Sequence, residues 1–327
     1  MRQLTIISFF LLLTGLGCQE VISVDGGEPA TLTYSVSTSV SFEVKSGAEG
    51  SEGSEGSVPG NASEINVLWY GVYHKKADGT YKYMSDMSAF VEVADQNSIQ
   101  VPITLINGQE YELVFVAQHR ILADDDEHTY MYTISDDAVM SRNPSAALTS
   151  GEQLDVFVFV DKVGPVVGSI SKSITLERPV AQINVGTSDA GAGAGADASA
   201  GAGEGSEGAV TGSEGSVTGS DSDGSVSGSE GNGSAVLGFI DVAFDNVPKF
   251  YDIRKRTYSG TTSLSFNNLP IDGTPMTVYN TDYTRLATLY ILGGNKVDLT
   301  ILHNDNTKKI NNINTAPNYK TNIVGKI

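Results

Sequence analysis

The chain has a single cysteine, Cys18, among 327 residues, so no disulfide can form within it and packing must supply its stability. Positive charge is scarce too: 20 Lys and Arg stand against 39 Asp and Glu, for a net charge of −19. Such a surface repels a phosphate backbone, and the short basic groups at Arg142 and Arg254 are too small to line a groove for a polyanion, so no nucleic-acid partner is expected. Sustained 3.6-residue periodicity is missing from every window longer than ten residues, which leaves little room for helix. Also missing are a nucleophile elbow, a phosphate-binding loop and a dinucleotide-binding glycine string. His74, His119, His128 and His303 are scattered without metal-ligand spacing. The expectation is a protein that is not an enzyme and needs no cofactor or metal.

The start of the chain reads as an export signal. Arg2 supplies a minimal positive region, residues 4–13 form an apolar run too short to span a bilayer comfortably, and Gly15 and Gly17 suit a peptidase near position 18. Cys18 lies where a bacterial lipoprotein signal places the residue that becomes the acylated N-terminus. Each acyl CH₂ would add roughly 0.8 kcal/mol of membrane attachment. Gly15 stands where the usual lipobox has Leu, so ordinary signal cleavage is the alternative. Residues 1–18 are therefore read as a lipoprotein signal peptide, Cys18 as the lipidation site, and a membrane as a partner through the lipid.

What is abundant is strand-forming sequence. Thr, Val, Ser and aromatic residues dominate 30–44, and further strand patterns follow at 65–75, 80–84, 98–106 and 111–121. Asn107-Gly108, between two of them, suits a tight hairpin turn and points to a β-meander. More strands are expected at 154–163, 169–187, 236–247 and beyond, with Pro179 marking an edge, a bulge or a crossing between domains. The fold class expected is all-β, as two sandwiches, since separate apolar sheet faces must cover one another. The domains are set at 19–168 and 169–327.

Two low-complexity tracts interrupt this pattern, an acidic Gly/Ser stretch at 46–63 and a Gly/Ala/Ser/Glu insert at about 190–235. The second has no aromatic residue, no Leu and no Ile over 190–234. Ordering it would cost about 1–2 kcal/mol per residue with almost no apolar area in return. Both are expected to be disordered loop insertions, the second carrying too few close Asp residues for a calcium-binding repeat.

Candidate ligand groups are few. Trp69, Tyr70, Tyr73, Tyr81 and Tyr83 could form aromatic platforms for a sugar, although their spacing suits a buried sheet at least as well. Asp124, Asp125, Asp126 and Glu127 offer oxygens for calcium, but a solvated loop accounts for them equally.

Three segments carry a family likeness: "YELVFVAQ" from Tyr111, "ITLERPVAQINVGTSD" from Ile174 and "NYKTNIVGKI" from Asn318. Together they resemble the fimbrillin-like, type V pilin-like lipoproteins of Bacteroidales over nearly all of 21–327 outside the two tracts. The resemblance implies two transthyretin-like β-sandwiches, export to the outer membrane as a lipoprotein, and a place in a cell-surface fimbrium. It further implies proteolysis after a basic residue following the first strand, then strand addition by another subunit. Lys45 is the first basic residue after Cys18, and so the candidate processing site, although an arginine-directed protease would prefer Arg. On this reading the chain is a structural or accessory fimbrial subunit whose partners are other subunits. The alternative is a monomeric surface lipoprotein, an adhesin that binds a host glycan or protein through its C-terminal domain.

Overall fold

A computed structural model describes residues 27–38, 41–44, 56–59, 62, 64–93, 99–121, 128–148, 150–188, 238–303 and 306–326. Cys18, Lys45, the acidic run 124–127 and the insert 190–235 lie outside the described residues. Within them the chain is all-β, with strands β1 to β22 numbered in chain order and two short 3₁₀ helices, Ser85–Met87 and Gly151–Leu154.

The first sheet has three strands. Strand β1 (Pro29–Thr38) lies in the middle, parallel to β14 (Ile170–Leu176) on one side and antiparallel to β7 (Ile99–Ile106) on the other. Alternate residues of β1 and β7 are buried, as the two-residue period of a half-buried strand requires. Facing them is a five-stranded sheet ordered β13 (Val156–Val163), β8 (Tyr111–Gln118), β4 (Val67–Lys75) and β5 (Tyr81–Tyr83), with β6 (Ala89–Glu92) also on β4. Leu32, Tyr34, Val101 and Ile103 from the first sheet meet Leu68, Val72, Leu113 and Phe115 from the second in one apolar cluster.

The five-stranded sheet is covered on its other face as well. Trp69, Tyr73, Val114 and Val116 alternate with the residues just named and join a second cluster with Ile183, Phe244, Leu289 and Leu299. Every residue of β8 is consequently buried, which explains why "YELVFVAQ" is a nearly continuous apolar run where a half-exposed strand would alternate.

Two further sheets enclose that second cluster. A four-stranded sheet runs β18 (Pro275–Val278), β19 (Thr281–Leu292), β15 (Val180–Thr187), β22 (Lys320–Gly325). A six-stranded one runs β11 (Tyr132–Ile134), β12 (Val139–Arg142), β16 (Phe239–Asp252), β20 (Lys296–His303), β21 (Asn306–Asn314), with β17 (Thr257–Pro270) on β16. Two-stranded ladders join β9 (Arg120–Ile121) to β10 (Thr129–Tyr130), and β2 (Ser41–Val44) to β3 (Gly56–Pro59). The expected boundary at 168/169 falls between β13 and β14, and strands pair across it in both directions: β14 with β1, and β12 with β16.

One sequence expectation is corrected. Asn107-Gly108 does form a tight turn, with Gly108 at φ +82° and Gln109 N donating to Ile106 O at 3.3 Å. It joins no hairpin, because β7 pairs with β1 while β8 pairs with β4 and β13. The turn carries the chain from one sheet to the facing one, and no meander results. Asn107 Oδ1 accepts from Gly168 N at 2.8 Å, so the turn is anchored by the segment that leads into β14.

Candidate functional site

The first feature of functional interest is β1 itself. It forms eight residue pairs with β7 and seven with β14, so its departure would leave two strand edges unpaired at once. Leu32, Tyr34 and Val36 are fully buried, and at about 1.5–3 kcal/mol each they contribute about 5–9 kcal/mol, comparable to the whole net stability of an ordinary domain. Tyr34 Oη donates to Asp161 Oδ2 at 2.6 Å, and Lys172 Nζ donates to the same oxygen at 2.8 Å. Burial first, and the Asp161 carboxylate second, hold the Tyr34 hydroxyl far above the usual phenol range.

The second feature lies where β14 passes into β15. Arg178 and Asp155 form a bidentate pair, Nε to Oδ1 at 2.6 Å and Nη2 to Oδ2 at 2.7 Å, with both side chains at most 1% exposed. The guanidinium lies 4.5 Å over the Phe157 ring and reaches Asn318 Oδ1 at 3.4 Å. Asp155 closes the 3₁₀ helix Gly151–Leu154, which Ser150 opens with a capping box. Burial raises the Asp155 carboxyl to about 6 against the pull of Arg178. Pro179 follows at the crossing from the first sheet to the four-stranded one. The "RPVAQINV" and "NYKTNI" segments are therefore neighbours in space: β15 and β22 pair in parallel, and Asn184 Nδ2 donates to Asn322 Oδ1 at 2.8 Å.

The third feature is an open cleft of ≈ 540 Å³ beside β4. Trp69 and Tyr83, both proposed platforms, line it with their ring centroids 6.4 Å apart. The other proposed platforms do not. Tyr73 is buried, Tyr70 packs on the opposite face against the first core, and Tyr81 lies under the guanidinium of Arg254. Sequence reasoning missed Phe90 and Tyr130, which form the cleft wall as a stacked pair with centroids 4.7 Å apart and planes 20° apart. They sit on strands of four and two residues, too short to show a pattern. His128 also lines the cleft. His74 meets Gln109 and His119 meets the Glu64 backbone. Among the described residues no group of three His, Cys, Asp or Glu side chains is placed to hold a metal ion.

The basic residues noted in the sequence are occupied. Arg254 pairs with Glu112, Lys255 with Asp252 at 2.7 Å, and Arg256 with Glu177 at 3.3 Å. Arg142 lies 5.2 Å over Phe266.

Residues 29–220, from the first residue of β1 onward, match the model of a family of unknown function, DUF6562. The chain belongs to that family. Solved structures similar to this DUF6562 member include a candidate adhesin from Bacteroides ovatus (11% identity, 86% of this chain and 76% of that one, TM-score 0.43). A fimbrial assembly protein from Parabacteroides distasonis is similar at 10% identity over 92% of each chain, with a TM-score of 0.38. The fimbrial anchor protein Mfa2 from Porphyromonas gingivalis is similar at 13% identity over 91% of each chain, with a TM-score of 0.40. No curated protein sequence matches the chain.

Proposed function

We propose that this chain is an exported, lipid-anchored surface protein that acts by binding, without catalysis, as an adhesin for a host glycan or protein. One observation carries this reading: with its own β1 in place, the described chain still presents an open cleft lined by aromatic and polar side chains. That strand already sits between β7 and β14 with its inward side chains buried, so no strand from another molecule is needed to cover the core, and an open cleft beside β4 remains for a ligand. The cleft is built from residues 69–145, in the first half of the chain. The experiment is retention of beads coated with residues 19–327 on epithelial monolayers. Saturable retention, competed by the free chain, is expected; no retention above uncoated beads would overturn the reading.

A second reading, a fimbrial structural or accessory subunit, is favoured by the central position of β1. If a protease cuts after Lys45, β1 and β2 become a separable segment, and its loss opens an apolar groove with two free edges that a strand from another subunit would satisfy. Such a contact is heterologous and propagates as a filament. Here Lys45→Ala should abolish SDS-resistant ladders of higher mass at the cell surface, and ladders unchanged by the substitution would exclude this route. Both readings place the chain at the outer membrane through a lipid on Cys18, with two sandwiches of transthyretin-like form and the tracts 46–63 and 190–235 as surface insertions.

A further inference from the structure

The chemistry of the cleft beside β4 narrows its ligand. Its floor is Trp69, whose indole lies along the strand over Gly71, two residues on and on the same face; a Cβ at position 71 would overlap the six-membered ring of Trp69. Gly71 is thus what lets the indole lie along the sheet. Phe90 sits directly opposite Trp69 in the β4–β6 register and is 49% exposed. Its ring stacks against Tyr130.

Polar groups ring these aromatics. Asn143 is locked in place, with Nδ2 donating to Tyr130 O at 2.9 Å and Oδ1 accepting from Ser145 N at 3.0 Å. Gln118 Oε1 accepts from Tyr132 N at 2.7 Å, which fixes the amide at the cleft wall. His128 adds an imidazole to the lining, its Nδ1 buried and without a hydrogen-bond partner among the described residues. Thr133 and Asp136 complete the rim, and among the described residues no Lys or Arg lines the cleft.

We propose that this cleft binds a neutral glycan, with a pyranose ring laid against the exposed Phe90 ring and its stacked partner Tyr130, above the buried Trp69. The C–H face of a pyranose is apolar and matches an aromatic platform, while its ring of hydroxyls both donates and accepts, as a rim of amide, imidazole, hydroxyl and carboxylate groups demands. The volume lies in the ~300–1,000 Å³ range of small-molecule sites. Sialylated, uronate or sulfated glycans are excluded, since the cleft offers a carboxylate and no cation while the whole chain carries −19. An apolar peptide side chain would use the rings but leave the polar rim unmatched. This inference rests on the adhesin reading and assigns it a place and a ligand class.

The protein contains one tryptophan, and it is the cleft floor, so tryptophan emission, excited at the red edge where the 14 tyrosines scarcely absorb, reports on this site. Residues 19–327 would be titrated with cellohexaose, laminarihexaose, mannohexaose and lacto-N-tetraose, with trigalacturonate and 3′-sialyllactose as acidic counterparts and a Phe-Tyr dipeptide as an apolar probe. A saturable change in emission with at least one neutral glycan and none with the acidic ones is expected. Phe90→Ala, at a half-exposed position, should weaken that binding at least tenfold without lowering the melting temperature, and Tyr130→Ala should weaken it similarly. No saturable response to any neutral glycan, equal binding of acidic ones, a response to the dipeptide alone, or undiminished affinity in Phe90→Ala would each overturn the assignment. Cell retention that persists in Phe90→Ala would overturn this site while leaving the adhesin reading standing; absent retention of the wild-type chain would overturn that reading itself.

Discussion

Arg178→Met should be among the most damaging single changes in the described chain. It removes one partner of a bidentate pair whose two side chains are at most 1% exposed, leaving Asp155 buried opposite a thioether. Breaking a buried pair in this way costs about 3–5 kcal/mol, or a fall of roughly 6–20 °C in melting temperature at ~2–4 °C per kcal/mol. The penalty should depend on pH, and its sign follows from Asp155. Burial raises the folded-state carboxyl from 3.8 to about 6, so between those values the native state holds a proton that the unfolded chain releases, and stability falls as pH rises through that window. Without Arg178 the folded value rises further and the decline extends to higher pH. The gap between variant and wild type should therefore be wider at pH 8 than at pH 4.5, as measured by urea denaturation followed by circular dichroism. Arg178→Met with Asp155→Leu should recover most of the loss, since an apolar pair carries no buried charge. A variant within about 0.5 kcal/mol of wild type, or a penalty unchanged across that pH range, would refute the reasoning.

Other expectations follow from single features. Tyr279 and Asn280 join β18 to β19 with both residues at positive φ, 52° and 59°, the two-residue hairpin geometry that favours Asn or Gly. Tyr279→Asn should therefore stabilise by about 0.5–1 kcal/mol, seen as a higher midpoint in urea. Replacing residues 190–234 by a short Gly/Ser linker removes no aromatic, Leu or Ile side chain and should shift the melting temperature by less than about 5 °C; a larger fall would mean the tract packs. Cys18→Ser should release the protein from the membrane fraction or block its processing, and unchanged membrane retention with unchanged mobility would exclude lipidation there.

Local chemistry was legible in the sequence, and long-range pairing was not. The apolar density of β8 marked it as a strand, and its burial on both faces is what that density reflects. Asn107-Gly108 announced a tight turn, but turn chemistry is silent on whether the next strand joins the same sheet or the facing one. Asp155 and Arg178, 23 residues apart, have no spacing that betrays a pair; only the fold, by closing a 3₁₀ helix against the crossing at Pro179, brings them together. In the cleft, Trp69 and Tyr83 stood out as aromatics on recognisable strands. Phe90 and Tyr130 did not, because strands of four and two residues carry no period, and their stacking depends on β6 pairing with β4 and β10 with β9.

The most direct test of the central claim, that the protein works with its own β1 in place, is the intact mass and N-terminal sequence of the protein taken from its native cell surface. The account predicts a single chain that begins at a modified Cys18, retains Pro29–Thr38, and runs as a monomer in SDS without heating. A chain that begins at Ser46 and migrates in SDS-resistant ladders would contradict it, and would make the exchanged strand, not the cleft, the seat of function.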